Sequence, residues 1–86
     1  MTNPPKNRTT VEIYGQPYVI LGKESLNHIK HVASLVDDKM REISSRNPSL
    51  NVNKLAVLTA VNAVNDYLKI KEQLEKLQDE LNREKD

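Results

Sequence analysis

The sequence predicts an α+β fold, with an N-terminal β-hairpin and short helix forming a head. One long C-terminal helix follows and forms a coiled coil in an oligomer. Three observations point there. Strand-forming residues gather between Thr9 and Leu21 around Gly15. Apolar residues recur at helical spacing from Leu26 to Ile43. Finally, Ala56, Ala60, Ala63, Tyr67, Ile70, Leu74, Leu77 and Leu81 alternate steps of four and three, the a/d pattern of a heptad seam.

Size and composition fit that picture. With 86 residues and no cysteine, neither a disulfide nor a thiolate metal site can reinforce a small core. Phe and Trp are absent, so the core must be built from aliphatic and small residues. Oligomerisation is the reinforcement that remains. Thirteen basic against 12 acidic residues give a formal charge of +1, which argues against nucleic-acid binding driven by bulk charge. No apolar run reaches membrane-spanning length and no signal-peptide pattern is present, so a cytoplasmic protein with no membrane partner is expected.

Residues 1–8, with Pro4 and Pro5 side by side, are expected to form a disordered tail. Residues 9–21 form the hairpin. Gly15-Gln16 suits a two-residue type II′ turn, which would pair Ile13 with Tyr18 and Val11 with Ile20 on one face. Pro17 would start the second strand, where its missing N–H is tolerated. A lone hairpin is not stable, so its apolar face must lie on a helix or another sheet.

The first helix is expected over residues 25–46 with Ser25 as N-cap. Leu26, Ile29, Val32, Ala33, Val36, Met40 and Ile43 form its apolar stripe, while Asn27, His31, Ser34, Asp38, Arg41 and Ser45 lie opposite. Asp37 and Arg41 are spaced for an i,i+4 ion pair. Asn47-Pro48-Ser49 ends the helix, and Asn51 caps the next one. The short connection makes the two helices antiparallel neighbours.

The long helix starts at residue 52 and changes character near Leu68. Before that point a second stripe, Val57, Val61, Val64 and Leu68, accompanies the heptad seam about a third of a turn away. Two apolar sides predict two covers, so residues 9–68 make the head and residues 69–86 a coiled-coil tail with one partner face. The tail seam is left for another copy of the chain or for another protein. Ala56, Leu58, Ala60, Val61, Asn62, Ala63, Tyr67, Ile70, Leu74, Leu77 and Leu81 are the expected dimerisation residues. Asn62 is either a buried residue that fixes register or a half-exposed one at the stripe's edge. With Tyr67, Leu74 and Leu81 at a, a parallel pair matches Asp66 with Lys71, Gln73 with Gln78 and Glu80 with Lys85; an antiparallel pair centred on Gln78 opposes Lys71 to Lys85.

No enzyme is legible. There is no thiol nucleophile, and Gly15 and Gly22 form no phosphate-binding loop. His28 and His31 lie one turn apart, but without further ligands they are expected to be solvated rather than metal-bound. No cofactor is implied.

Several segments together carry a family resemblance. They are Val11-Glu12-Ile13-Tyr14-Gly15-Gln16-Pro17-Tyr18, Val32-Ala33, Val36-Asp37-Asp38-Lys39-Met40, Leu55-Ala56-Val57-Leu58 and Ala60-Val61-Asn62. In this order and spacing the chain resembles the bacterial cell-division protein ZapA family from about Thr9 to Leu68. The resemblance implies a cytoplasmic protein at the mid-cell division ring that binds the tubulin-like GTPase FtsZ and bundles or cross-links its filaments. It implies a homodimer, with a tetramer left open, since some members pair two dimers through a much longer tail than the roughly three heptads here. It also places filament binding on charged residues of the head; the corresponding region here is the turn residue Gln16, the end of the first helix and the loop into the second, with Arg41, Arg46, Asn47, Asn53 and Lys54 as candidates. A generic coiled-coil dimerisation module for another cytoplasmic partner is the alternative.

Overall fold

The computed structural model describes residues 7–84. Strands β1 (Asn7–Ile13) and β2 (Gln16–Gly22) form an antiparallel hairpin, followed by helices α1 (Leu26–Arg46) and α2 (Val52–Glu84). Most of the tail expected over residues 1–8 lies outside the described residues. Its last two residues, Asn7 and Arg8, belong to β1, paired with Gly22 and Leu21. The Asn7 side-chain amide also donates to the Glu24 carbonyl, tying the start of β1 to the loop before α1.

The hairpin departs from expectation at its turn. Tyr14 and Gly15 form the loop, not Gly15 and Gln16; Ile13 pairs with Gln16, Val11 with Tyr18 and Thr9 with Ile20. Tyr14 has φ 51° and Gly15 φ 76°, the two left-handed residues of a type I′ turn. For a tyrosine that conformation costs about 1–2 kcal/mol. Contacts with α1 hold it there. The Tyr14 N–H donates to Asp37 Oδ1 at 2.6 Å, its hydroxyl lies 2.9 Å from Ser44 Oγ, and the Arg41 guanidinium sits 5.4 Å from the ring centre. Asp37, Arg41 and Ser44 are spaced i, i+4, i+7 and so share one face of the helix. A turn chosen by a helix 23 residues downstream is outside the reach of local turn rules.

The shift changes the register by two residues, and side chains alternate with period two, so no residue changes face. Thr9, Val11 and Ile13 line the face opposite Ile20 and Tyr18 as expected, with Thr9 and Val11 buried. Pro17 lies opposite Glu12, next to the pair that closes the loop. At that wide position its nitrogen points away from β1, so the ladder loses no bond and the outer edge of β2 lacks one donor.

Two contiguous clusters form the core. Ile29 and Ala33 of α1 pack on Val11, flanked by Ile13 and Ile20. Farther along, Met40 and Ile43 pack on Leu55 of α2, flanked by Ile13, Tyr14 and Val36. Ser25 caps α1 by accepting from the His28 N–H at 3.1 Å. Asn47 closes the helix, its N–H donating to the Ile43 and Ser44 carbonyls at 3.1 and 3.2 Å. Asn51 Oδ1 accepts from the Lys54 N–H at 2.9 Å and opens α2.

On α2 only Leu55 and Thr59 are buried. The face that α1 covers is therefore neither of the two apolar stripes: within one protomer Val57 is 63% and Val61 58% exposed. Thr59 fills the interior because its Oγ1 donates to the Leu55 carbonyl at 2.8 Å, which satisfies the hydroxyl locally. The helices run antiparallel, and Lys39 Nζ reaches Asp66 Oδ2 at 3.4 Å across them. Beyond Asp66 every described residue of α2 is exposed, a length of roughly 27 Å at 1.5 Å per residue.

Leu55→Ala is expected to destabilise the fold by about 2–5 kcal/mol, measured by denaturant unfolding, with hairpin and helix signals lost together. An effect below about 1 kcal/mol would show that this contact does not join the elements. Thr9 is 2% exposed and its hydroxyl has no hydrogen-bond partner among the described residues. Thr9→Val, which keeps the shape, should therefore raise stability, by about 1 kcal/mol; a loss of stability would reveal a partner for that hydroxyl.

Candidate functional site

The six polar residues singled out in the sequence lie on the hairpin tip, the C-terminal part of α1, the connection and the first turn of α2. The cluster of Met40, Ile43 and Leu55 with Ile13 and Tyr14 brings these segments to the same end of the head. Gln16 is the first residue after the turn. Its neighbour Tyr14 carries the contacts to α1, which set the tip beside Arg41.

Arg41 is held from two sides. Its Nε donates to Asp37 Oδ2 at 2.9 Å, and its guanidinium lies over the Tyr14 ring. The side chain is still 60% exposed, so a held cation faces solvent. The Arg41 hydrogen bond, followed by the Tyr14 N–H, keeps the Asp37 carboxyl below the ordinary carboxylate range. A depressed carboxyl contributes its stabilisation above its ordinary value, and the contribution is lost as pH falls through the depressed one. The pair of Asp37 with Arg41 is therefore ionised at neutral pH.

Arg46 is paired less permanently, its Nη2 lying 2.7 Å from Glu42 Oε1 on the exposed surface. Such i,i+4 pairs contribute about 0.3–0.5 kcal/mol and exchange readily with other partners. Asn47 is committed to the helix end, its Nδ2 donating to the Ile43 carbonyl at 3.2 Å. The Lys54 ammonium has no ion pair among the described residues. Asn53 and Lys54 flank a shallow apolar cleft of about 390 Å³ walled by Leu50, Val57 and Leu58. This end of the head thus combines cations with adjoining apolar surface, and what it can do chemically is bind an acidic surface.

The second candidate surface is the α2 seam. Ala56, Leu58, Ala60, Val61, Asn62, Ala63, Tyr67, Ile70, Leu74, Leu77 and Leu81 are all exposed in the protomer, from 37% at Leu58 to 64% at Ile70 among the large side chains. Asn62 Nδ2 donates to the Leu58 carbonyl at 2.9 Å, so within one protomer this asparagine is exposed and satisfied by its own helix. Small alanines in the first half and large aliphatics in the second make one continuous apolar strip along the helix.

Three features of the site escaped the sequence reading. Tyr14 looked like a strand residue and Asp37 like half of an ordinary ion pair, while Thr59 was not singled out, although its step of four from Leu55 puts both on one helix face. No group of three or more His, Cys, Asp or Glu side chains able to hold a metal ion occurs among the described residues, and no helix there is long and apolar enough to cross a membrane.

Comparisons with known proteins agree with this architecture. A family model described as cell division protein ZapA matches residues 9–86. The cell division protein ZapA of Bacillus pumilus (strain SAFR-032) is 64% identical over 81 residues, covering 94% of this chain and 95% of its own. That of Bacillus licheniformis is 60% identical over 86 residues and is covered over 100% of both chains. Among solved structures, a ZapA mutant dimer from Geobacillus stearothermophilus is 54% identical, covers 94% of each chain and superposes with a TM-score of 0.73. Hairpin, short helix and long helix thus recur in a close relative, and the chain belongs to the ZapA family of cell division proteins.

Proposed function

We propose that this chain is a non-catalytic division accessory protein that works as a homodimer in the cytoplasm at the mid-cell ring. It binds FtsZ filaments through the end of the head and bundles them. In this reading residues 9–68 act as the binding head and residues 69–86 as the coiled-coil tail. The observation that carries it is the uncovered seam of α2, where Tyr67, Ile70, Leu74, Leu77 and Leu81 are each more than half exposed. Among the described residues nothing covers that strip, and each large apolar side chain buried there contributes roughly 1.5–3 kcal/mol before the ordering entropy is subtracted. A second copy covers it with the same residues about a two-fold axis. The dimeric state of the Geobacillus mutant supports this choice of partner.

Dimerisation in parallel register places two heads at one end of the assembly. Each presents Gln16, Arg41, Arg46, Asn47, Asn53 and Lys54, and two linked weak contacts outlast one. Positive charge at Arg41, Arg46 and Lys54 steers the heads to an acidic filament, which implies binding that weakens as salt rises.

Sedimentation equilibrium of the whole chain should give a dimer at micromolar concentration, and Leu74→Glu with Leu77→Glu should give a monomer. A compact folded monomer from the unaltered chain would overturn the assembly. Charge reversal at Arg46 and Lys54 together, each to Glu, should abolish co-pelleting with polymerised FtsZ and the rise in light scattering that reports bundling. Helix content and dimer mass should not change, because both side chains lie off the apolar strip. Undiminished, salt-independent co-pelleting by that variant would show that the contact is elsewhere and not basic.

A further inference from the structure

The Tyr14 turn is the one place where a described non-glycine residue sits at positive φ. A hairpin that needed only a stable two-residue loop would be better served by Asn before Gly15, since Asn enters the left-handed region with little penalty. Tyr14 accepts the strain, and its three polar and aromatic contacts all go to one helix face: N–H to Asp37, hydroxyl to Ser44, ring to Arg41. Asp37 in turn spends its second oxygen on Arg41 Nε. The arrangement is a closed ring of contacts, Tyr14 to Asp37 to Arg41 and back to Tyr14. Strained backbone that is over-determined by its surroundings is a recurrent mark of a recognition element.

The consequence for Arg41 is specific. A free surface arginine samples many rotamers and must be ordered when it binds. Here Nε is engaged and the guanidinium lies over the Tyr14 ring, 5.4 Å from its centre, while the side chain remains 60% exposed and no hydrogen bond among the described residues occupies either Nη group. A cation ordered in advance loses little freedom on binding, and its Nη donors suit a carboxylate better than a freely rotating charge does.

We propose that Tyr14 and Asp37 are positioning residues that hold the hairpin tip and the Arg41 guanidinium as one preformed contact for a carboxylate on the partner filament. This rests on the reading of the head as the filament-binding end. Tyr14 and Asp37 act through Arg41 and touch no partner themselves. Arg41 and the tip residue Gln16 make the contact.

Tyr14→Asn separates this role from that of a simple turn. It keeps a favourable type I′ loop and removes both the ring and the hydroxyl. In the full chain the dimer mass should match the parent, with relief of the Tyr14 backbone strain offsetting part of the packing lost with the ring, while affinity for polymerised FtsZ by co-pelleting falls about tenfold. Arg41→Lys should lose about as much as Arg41→Ala, because lysine keeps the charge without the planar fork. In the Arg41→Ala background, Tyr14→Asn should lose less than it does alone, since most of its influence passes through Arg41.

Parent-like binding by a folded Tyr14→Asn dimer overturns the proposal, as does full retention by Arg41→Lys or a loss at Tyr14 that adds independently to that at Arg41. Should Asn at position 14 unfold the head, Ser44→Ala trims only the partner of the Tyr14 hydroxyl. It should weaken binding without changing the fold, and unchanged binding there overturns the proposal equally. If the parent chain itself stays in the supernatant, the filament reading fails first and this inference fails with it. That outcome is distinguishable because no variant then differs from the parent.

Discussion

The burial of Leu55 against Met40 and Ile43 is the contact on which the rest of the protomer depends. Leu55 is 1% exposed, and it joins α2 to a cluster that also contains Ile13 and Tyr14 of the hairpin. Three elements therefore meet in one cluster. Further links between α1 and α2 include Thr59 and the surface pair of Lys39 with Asp66. Half-exposed ion pairs contribute at most about 1 kcal/mol, too little to dock a helix of 33 residues. The placement of the hairpin tip beside the end of α1 follows from the same cluster, so core packing and the geometry of the charged end are not independent.

How much of this was legible in the sequence depends on how far each determinant reaches along the chain. Ser25, Asn47 and Asn51 act on backbone groups within four residues, and helix ends could be read from them directly. The heptad seam was legible because periodicity is a property of one helix. The β-hairpin faces also came through, although the register did not, because a slip of two preserves alternation. The turn itself was not legible, since Asp37, Arg41 and Ser44 settle it from another element. Nor was the face of α2 that meets α1. Apolar character pointed to the two valine and alanine stripes, whereas the buried face is a leucine followed by a threonine whose hydroxyl is satisfied in its own helix.

The candidate site was legible in composition and less so in organisation. Counting charges identifies Arg41, Arg46 and Lys54 as equals. In the structure they differ in kind: Arg41 is ordered by a carboxylate and an aromatic ring, Arg46 is loosely paired on the surface, and the Lys54 ammonium has no ionic partner among the described residues. Exposed apolar surface shows the converse. The sequence expected part of the seam to be covered within the chain. Instead the whole strip from Ala56 to Leu81 lies bare on the protomer. In the proposed dimer stability is tied to concentration, because association buries apolar surface that folding of the protomer leaves bare.

Pro17 has a consequence for assembly that is separate from its effect on the turn. A two-stranded sheet has two edges, and indefinite strand-by-strand stacking of molecules needs both to be competent. The outer edge of β2 lacks a donor at Pro17, whereas β1 carries no proline among its seven residues. Edge pairing through β1 joins two molecules and then stops, because the next addition would have to use the blunted side. The hairpin can thus stay small and solvent-facing at high local concentration without seeding fibrous aggregates.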